Sequence, residues 1–267
     1  MKQYIILFCI SALTLQMGAQ KRHSLSERQK MPIEREKTAF EKEVLSGWEF
    51  SVGAGLELGG AAPMPMPREI RKIKSYNPML NPYLEGIATR RIEGPLGIRT
   101  GLRLEQKGMI TKAGVKNYHM EMTADDGGYM EGAWTGNVET KVRNIYLTLP
   151  IMVSYTFNDD RWEAHAGPYF SLLIDGNFSG AAYDGYIRHH DPTGEKAFVD
   201  HATYDFDSDL RTFVWGMQFG GSYRWSNRWS ANADLNWGVN GIFPSDCQSV
   251  TFSLYPIYAK FGLSYHF

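Results

Sequence analysis

Residues 253–267 of the sequence read SLYPIYAKFGLSYHF. Every second residue in this stretch is apolar or aromatic, namely Tyr255, Ile257, Ala259, Phe261, Leu263, Tyr265 and Phe267. Between them lie Pro, Tyr, Lys, Gly, Ser and His residues, which are mostly polar or small. Alternation with a period of two predicts a β-strand that has one apolar and one largely polar face.

The same alternation recurs along the chain and predicts an all-β fold. One of the clearest cases is 145–157, where Leu147, Leu149 and Ile151 alternate with Tyr146 and Thr148. The two faces of residues 81–91 are harder to separate. Together with the last stretch, the predicted strands number eight and cover residues 48–59, 81–91, 96–107, 145–157, 162–175, 213–223, 229–237 and 255–267.

The connections between these strands alternate in length. Short turns are predicted near Gly94, Asp159 and Asn227, and long loops at residues 61–79, 110–143, 176–209 and 239–252. Outer-membrane barrels have short periplasmic turns and longer external loops, and their strands cross with about nine to eleven residues. Because a soluble sandwich does not require this alternation, we predict an eight-stranded antiparallel up-and-down transmembrane β-barrel over residues 47–267.

The last strand also resembles the C-terminal signal of outer-membrane barrels, which ends in an aromatic residue. This resemblance implies recognition by the barrel-assembly machinery. The predicted insertion signal consists of Tyr255, Ile257, Phe261, Leu263, Tyr265 and Phe267.

The first 46 residues have a different composition. Lys2, the apolar run 5–15 and the small residues before Gln20 predict a signal peptide over residues 1–19. Residues 20–46 are rich in charge and predict a short periplasmic arm, in which helical spacing of apolar residues at 32–45 allows a short helix. Two interpretations stay open for this arm: a solvated segment, or a plug or docking helix. We expect export to the outer membrane of a Gram-negative-type cell.

The face that carries charged residues is expected to point into the barrel. An Arg or Lys that faces lipid at the bilayer midplane costs about 2–4 kcal/mol. Eight strands leave a lumen that side chains can fill, and buried charges there require partners. The predicted interior charge network is Glu49, Glu57, Arg99, Arg103, Glu105, Glu163, Asp234 and Lys260.

No catalytic, cofactor or metal site is predicted. The net charge of -1 does not favour a nucleic-acid partner. Cys9 and Cys247 are the two cysteines, and the first lies in the predicted signal peptide, so no disulfide is expected within one mature chain. The run 205–209 alternates Asp as a calcium loop does, but Leu210 and Gly216 stand where that loop requires Gly and Glu. His165 is interpreted as a satisfied interior histidine.

The second and third long loops carry several aromatic residues. Rigid aromatic side chains in exposed loops favour recognition, because they offer contact area at a small entropic cost. The alternative is that they pack on each other and cap the barrel. The candidate recognition residues are Tyr118, Tyr129, Trp134, Tyr183, Tyr186 and Tyr204.

From residue 47 onward, the chain resembles the PorT-type outer-membrane β-barrel family. The resemblance rests on residues 52–56 (VGAGL), 102–108 (LRLEQKG), 146–151 (YLTLPI), 166–169 (AGPY) and 261–267 (FGLSYHF). It implies a non-enzymatic barrel, accessory to secretion or surface assembly, because the family's namesake takes part in type IX protein secretion. Expected partners are outer-membrane lipid, lipopolysaccharide and secretion-system proteins. The alternatives are a small passive channel and a surface hydrolase or lipid-modifying enzyme.

Overall fold

The computed structural model describes residues 47–124, 127–157, 160–189, 193–244 and 253–267. The predicted signal peptide (1–19) and charged arm (20–46) lie outside the described residues. The described residues form one ten-stranded antiparallel sheet and a short 3-10 helix at Asp207–Asp209. In these ranges there is no helix whose length and hydropathy would let it cross a membrane. The strands are β1 (Trp48–Pro63), β2 (Ile70–Asn77), β3 (Asn81–Glu93), β4 (Leu96–Ala124), β5 (Tyr129–Thr156), β6 (Trp162–Arg188), β7 (Ala197–Asp205), β8 (Phe213–Arg224), β9 (Trp229–Gly238) and β10 (Leu254–His266).

Eight of these strands close into a ring, in the order β1-β3-β4-β5-β6-β8-β9-β10. The ring closes where β1 pairs with β10, in an unbroken register from Ser51↔His266 to Pro63↔Leu254. The prediction of an eight-stranded antiparallel barrel is therefore confirmed. Closure gives each strand of the ring a paired neighbour on both sides, which is what a lipid environment requires of a β-structure.

The short turns all lie at one end of the ring. They join β3 to β4 at Gly94, β5 to β6 and β8 to β9. The described part of the barrel also begins and ends there, because the amide of Phe267 donates to the carbonyl of Phe50 at 3.1 Å. We call this end the short-turn end, and the opposite one the long-loop end.

The outer surface of the ring is an apolar belt. The belt consists of exposed outward side chains that include Val52, Leu56, Leu84, Leu104, Leu149, Ile151, Val153, Leu235, Phe261 and Leu263. Near the short-turn end, the rings of Trp162 and Tyr223 lie 4.6 Å apart and those of Trp229 and Tyr265 lie 5.3 Å apart. Clustered Trp and Tyr residues at the edge of such a belt are typical of a membrane–water interface.

Three strands continue far beyond the ring at the long-loop end. β4, β5 and β6 have 29, 28 and 27 residues, whereas β8 and β9 have 12 and 10. Their distal parts, with β2 on one side and β7 on the other, form a second β-structure that we call the extension. The extension comprises residues 70–77, 108–124, 129–144, 176–188 and 197–205. The prediction of irregular loops at 110–143 and 176–209 is therefore wrong for most of both segments.

The reason is that the two faces exchange polarity where the ring becomes the extension. On the outward row of β5, Lys141 and Arg143 precede the belt residue Leu147, whereas the inward row changes from Val142 to Thr148. The alternation continues, but its apolar side moves from the outside to the inside. The extension has a buried apolar cluster that includes Met109, Val115, Met120, Trp134, Val138, Val142, Phe178, Ala182, Ile187, Ala202, Tyr204 and Phe206.

This exchange of polarity predicts where a charge is tolerated on β5. We expect Leu149→Arg to prevent most barrel assembly, because Leu149 lies in the belt and a lipid-facing Arg costs about 2–4 kcal/mol near the midplane. The control Tyr129→Arg, at the exposed distal end of the same strand, should assemble normally. Assembly is measured as heat-modifiable gel migration of membrane fractions. Equal behaviour of the two variants would contradict the assigned boundary.

Candidate functional site

The centre of the ring is occupied by the guanidinium of Arg103. Its Nε donates to Glu85 Oε2 at 3.0 Å, and its Nη1 donates to Glu105 Oε2 at 3.0 Å. Its Nη2 donates to Gln218 Oε1 at 2.6 Å, and Glu57 Oε1 lies 3.9 Å from Nη1. Because both the guanidinium and the carboxylates are buried, each depends on the other for the contacts that water would otherwise provide.

A second group of charges surrounds Lys260. Its ammonium donates to Glu85 Oε2 at 2.8 Å and lies 3.1 Å from Asp234 Oδ2. Asp234 also accepts from Gln218 Nε2 at 3.0 Å and hydrogen-bonds to Nε2 of His165. His165 is therefore an interior residue, as the sequence indicated, but only this nitrogen has a hydrogen-bond partner; Nδ1 is buried 3.6 Å from Glu163 Oε1 without one.

The structure brings most of the predicted interior residues together. Arg99 donates to Glu163 at 2.9 Å, and Lys107 donates to Glu105 at 2.6 Å. The predicted position of Glu49 requires correction. Its side chain is 60% exposed at the short-turn end, where it accepts from Arg224 instead of joining the buried network. The predicted network also omitted Glu85 and Lys107, which are both buried within it.

At mid-height the lumen is filled. The fully buried side chains there include Glu57, Glu85, Arg103, Glu105, Tyr169, Gln218, Tyr258 and Lys260. The aromatic ring of Tyr83 packs 4.8 Å from the Lys260 ammonium, and that of Tyr169 packs 5.1 Å from the Lys107 ammonium. A polar recess of about 500 Å³ opens at the short-turn end, and Arg99, Glu163 and His266 are among the residues that line it.

The extension contains a cavity of a different kind. Its volume is about 410 Å³, and its wall includes the buried side chains of Met109, Val115, Val138 and Phe178. The hydroxyls in the wall have partners: those of Thr140 and Tyr204 lie 2.6 Å apart, and Tyr204 also lies 2.9 Å from the carbonyl of Glu139. Burial raises the pKa of Tyr204 well above its usual value. The wall is thus apolar in its chemistry.

The cavity adjoins a seam in the wall of the extension. β1 pairs with β3 only as far as Glu57↔Asn81, and beyond that point its described partner is β10. β2 occupies the other side, but its described pairing is with β4. The hydroxyl of Tyr76 on β2 donates to the carbonyl of Gly59 on β1, and this hydrogen bond bridges the seam.

The predicted recognition aromatics fall into two groups. Trp134 and Tyr204 are 0% and 8% exposed, so their prediction as exposed loop residues is wrong. Both belong to the extension's apolar cluster. The indole of Trp134 lies where a Cβ on Gly136 or Gly185 would fall, within 2.6 Å of the ring, so these two glycines make room for it. Tyr118 is half-buried against the same cluster.

The remaining aromatics lie on strands of the extension rather than in loops, and Tyr183 lies about halfway along it, where it pairs with Asn137. Tyr129 begins β5, and Tyr183 and Tyr186 lie near the end of β6. The ring of Tyr186 packs edge-on against Phe198 at 6.0 Å, and the Lys196 ammonium lies 4.5 Å above it. Tyr129 and Phe198, another aromatic residue of the third predicted loop, are 65% and 79% exposed. We call Tyr129, Tyr186, Lys196 and Phe198 the tip cluster, in which Lys196 and Phe198 contact the ring of Tyr186 and Tyr129 lies separately, paired with Thr123 of β4.

The acidic run at 205–209 has a structural role at the base of β7. The carboxylate of Asp207 accepts from the amide of Phe178 and from Asn177 Nδ2. Asp205 accepts from the amide of Asp207 at 2.9 Å. Among the residues whose positions are described, no three His, Cys, Asp or Glu side chains are grouped closely enough to hold a metal ion.

The comparison with protein families agrees with the barrel architecture. A family model described as "Outer membrane protein beta-barrel domain" matches residues 19–244. No curated protein matches the chain.

The solved structures that are similar to the chain include the following three. The first is the attachment invasion locus protein Ail of Yersinia pestis, in complex with the heparin analogue sucrose octasulfate; it is 7% identical, with a TM-score of 0.35, and the match covers 82% of this chain and 97% of Ail. The second is Neisserial surface protein A, which is 13% identical, with a TM-score of 0.31, and the match covers 83% of this chain and 98% of that one. The third is a major outer membrane protein of Thermus thermophilus, which is 17% identical, with a TM-score of 0.37, and the match covers 82% of this chain and 99% of that one. At these identities and TM-scores, the likeness carries no information on what this chain binds.

The contacts of Arg103 predict that its loss destabilises the barrel strongly. We expect Arg103→Met to lower the free energy of unfolding by about 3–5 kcal/mol, because it leaves the carboxylates of Glu85 and Glu105 buried without this partner. The control Arg91→Met removes an exposed ion pair with Asp160 and should change it by less than about 1 kcal/mol. Urea titration of the refolded barrel, followed by gel migration, measures both. A loss below about 1 kcal/mol in Arg103→Met would contradict the assigned role.

Proposed function

Because this chain belongs to the outer membrane protein beta-barrel domain family, we propose that it is a non-enzymatic interaction barrel that presents its extension to a protein partner outside the bilayer. The observation that carries this proposal is the extension itself. At roughly 3.3 Å per residue, residues 129–144 of β5 provide on the order of 50 Å of strand beyond the belt.

The rigidity of the extension supports a role in binding. Long external segments of a barrel are often irregular, but here they are paired strands around an apolar cluster. β7 pairs with β6 and also reaches β4 through Thr123↔Thr203 and Ala124↔Ala202, which ties the distal strands together. A scaffold that is already ordered loses little entropy when a partner binds.

The tip cluster is the part of the extension best suited to contact a protein. Tyr129 and Phe198 are exposed although both are large and aromatic, and Lys196 adds a cation beside the ring of Tyr186. Aromatic and cationic side chains of this kind are enriched where proteins bind each other. We therefore place the partner-binding surface at the tip cluster rather than in the lumen.

The filled lumen is evidence against the alternative function of a passive channel. Arg103 on β4 contacts Glu85 on β3 and Gln218 on β8, whereas Lys260 on β10 contacts Glu85 and Asp234 on β9. The side chains of Arg103 and Lys260 are almost completely buried. An ion that crossed this layer would have to displace paired and desolvated charges. A surface enzyme is also the weaker proposal, because the buried His165 contacts carboxylates of the structural network.

The resemblance to the PorT-type family gives this proposal a cellular setting. An accessory role in type IX secretion, or in assembly of the cell surface, would require a barrel that binds proteins without conducting solutes. The family places the chain in the outer membrane. The tip cluster would then face the cell exterior, where it could meet a partner. The type IX assignment rests on the resemblance alone.

We expect the tip cluster to be required for partner binding. In the double variant Tyr129→Ser with Phe198→Ser, the amount of partner captured by surface crosslinking should fall at least tenfold, because the exposed aromatic area is removed. The control Trp225→Ser changes an exposed aromatic residue at the short-turn end and should retain them. Both variants must show normal heat-modifiable migration. Retention of all partners by the double variant would contradict the proposal.

We also expect no sustained conductance. Refolded barrels in planar bilayers should show no uniform openings at the nanosiemens scale, because the Arg103 and Lys260 networks fill the lumen. Uniform openings in the wild-type protein would support the channel instead.

A further inference from the structure

We propose that the apolar cavity of the extension is a binding site for one acyl chain of an outer-membrane lipid, which enters through the seam between β1 and β2. This site lies apart from the tip cluster, so it adds a lipid ligand to the protein interaction and does not depend on it. The proposal rests on the chemistry of the cavity wall, the path from the belt and the charges beside the seam.

The wall restricts the ligand to an apolar one. Met109, Val115, Val138, Phe178 and Phe206 contribute hydrocarbon, sulfur or aromatic surface. The hydroxyls of Thr111, Thr140 and Tyr204 already have partners in the protein, so they offer little to a polar ligand. A volume of about 410 Å³ lies within the range of small-molecule pockets, about 300–1,000 Å³. An apolar cavity of this size weakens a fold if it stays empty.

The path into the cavity begins at the belt. Gly60 and Ala62 continue the outward row of β1 after Leu58, and Ile257 continues the outward row of β10. These three residues line the cavity together with Val138 and Phe178, which face the interior of the extension. The cavity is thus lined both by residues of the outward rows and by residues that face the interior of the extension. It adjoins the seam, where the described strands on either side are not paired with each other.

The surroundings of the seam favour a membrane lipid as the source of the chain. Leu58, Met66, Ile73 and Tyr76 are exposed there, and they extend the apolar surface of the belt toward the cavity. A lipid of the outer leaflet is the apolar molecule that meets this surface at high local concentration. Its chain would fill the cavity and supply the van der Waals contacts that the wall of an empty cavity lacks.

The charges on β2 match the headgroup of such a lipid. Arg71, Lys72 and Lys74 are exposed on this strand, immediately beside the seam. Lys74 donates to Asn137 at 2.7 Å, and within the described ranges no ion pair involves Arg71 or Lys72. A phosphate-bearing headgroup could therefore rest against Arg71 and Lys72 while one chain occupies the cavity.

The test uses the full mature barrel, reconstituted in vesicles that contain an anionic phosphatidylglycerol with a diazirine near the end of one acyl chain. After illumination, crosslinked peptides are identified by mass spectrometry. We expect crosslinks to the wall of the cavity, at Met109, Val138 or Phe178, in addition to crosslinks to the belt. Crosslinks confined to the belt would overturn the proposal.

Two variants are expected to change the wall crosslinks in opposite directions. Val138→Trp fills the cavity and should reduce them at least tenfold, whereas Tyr76→Ala removes the side chain that bridges the seam and should increase them severalfold. The control Lys141→Trp, on the outer face of the same strand as Val138, should leave them unchanged. Crosslinks to the belt report in each sample that the barrel is inserted.

Tyr76→Ala keeps the proposal falsifiable if the larger Trp side chain prevents folding. Unchanged or reduced wall crosslinks in an inserted Tyr76→Ala barrel would overturn entry through the seam. The double variant Arg71→Ser with Lys72→Ser should lower the wall crosslinks severalfold with the anionic lipid. If an uncharged diazirine alkane labels the wall but the lipid does not, the cavity takes free apolar molecules and the lipid assignment is wrong.

Discussion

The closure of β1 against β10 is the constraint on which the rest of the structure depends. Their continuous pairing leaves no free strand edge in the ring, and a bilayer tolerates none. Closure with eight strands makes the lumen narrow, so the inward side chains must fill it. Since the outward rows are apolar, the inward rows hold the polar residues. The ion pairs around Arg103 and Lys260 follow from this geometry, because charges brought so close together are stable only when each has partners.

In the extension, the strands of the ring continue but the polarity of their inward and outward side chains is reversed. Within one strand, β5, the inward row is Val138 and Val142 in the extension and Thr148 and Ser154 in the ring. Lipid outside the ring is compatible with polar side chains inside it, whereas water outside the extension requires an apolar interior. The junction is marked by a register shift between Ile145 and Tyr146 in the pairing of β5 with β6. One continuous strand therefore forms part of both the ring and the extension, with inward side chains that differ in polarity and a shifted register at the junction.

The different polarity patterns of the ring and the extension explain what could be predicted from the sequence. The ring was predictable because Leu147, Leu149 and Ile151 repeat with a strict period and lie opposite polar neighbours. The buried Glu85 was missed because the two faces of its strand are not clearly different in sequence, although the register places it directly opposite Arg103. The extension was missed because its outward residues are charged and its inward residues are often small, as at Ala113 and Ala182. Trp134 was predicted to be an exposed loop residue because its burial is not visible in the local sequence. It depends on the pairing of β5 with β4 at Tyr118 and with β6 at Ile187.

The seam is a consequence of unequal strand lengths. β3 ends at the long-loop end with Asn81, while its neighbours β1 and β4 continue. The amide nitrogen of the Asn81 side chain lies within hydrogen-bond distance of the carbonyls of Glu57, Pro78 and Gly108, so it ties both neighbours together at the point where they separate. Above this point, β2 takes the place of β3 beside β4 but leaves β1 to be bridged by the Tyr76 hydroxyl. An entrance to the apolar interior thus lies next to the belt, because a short strand stands between two long ones.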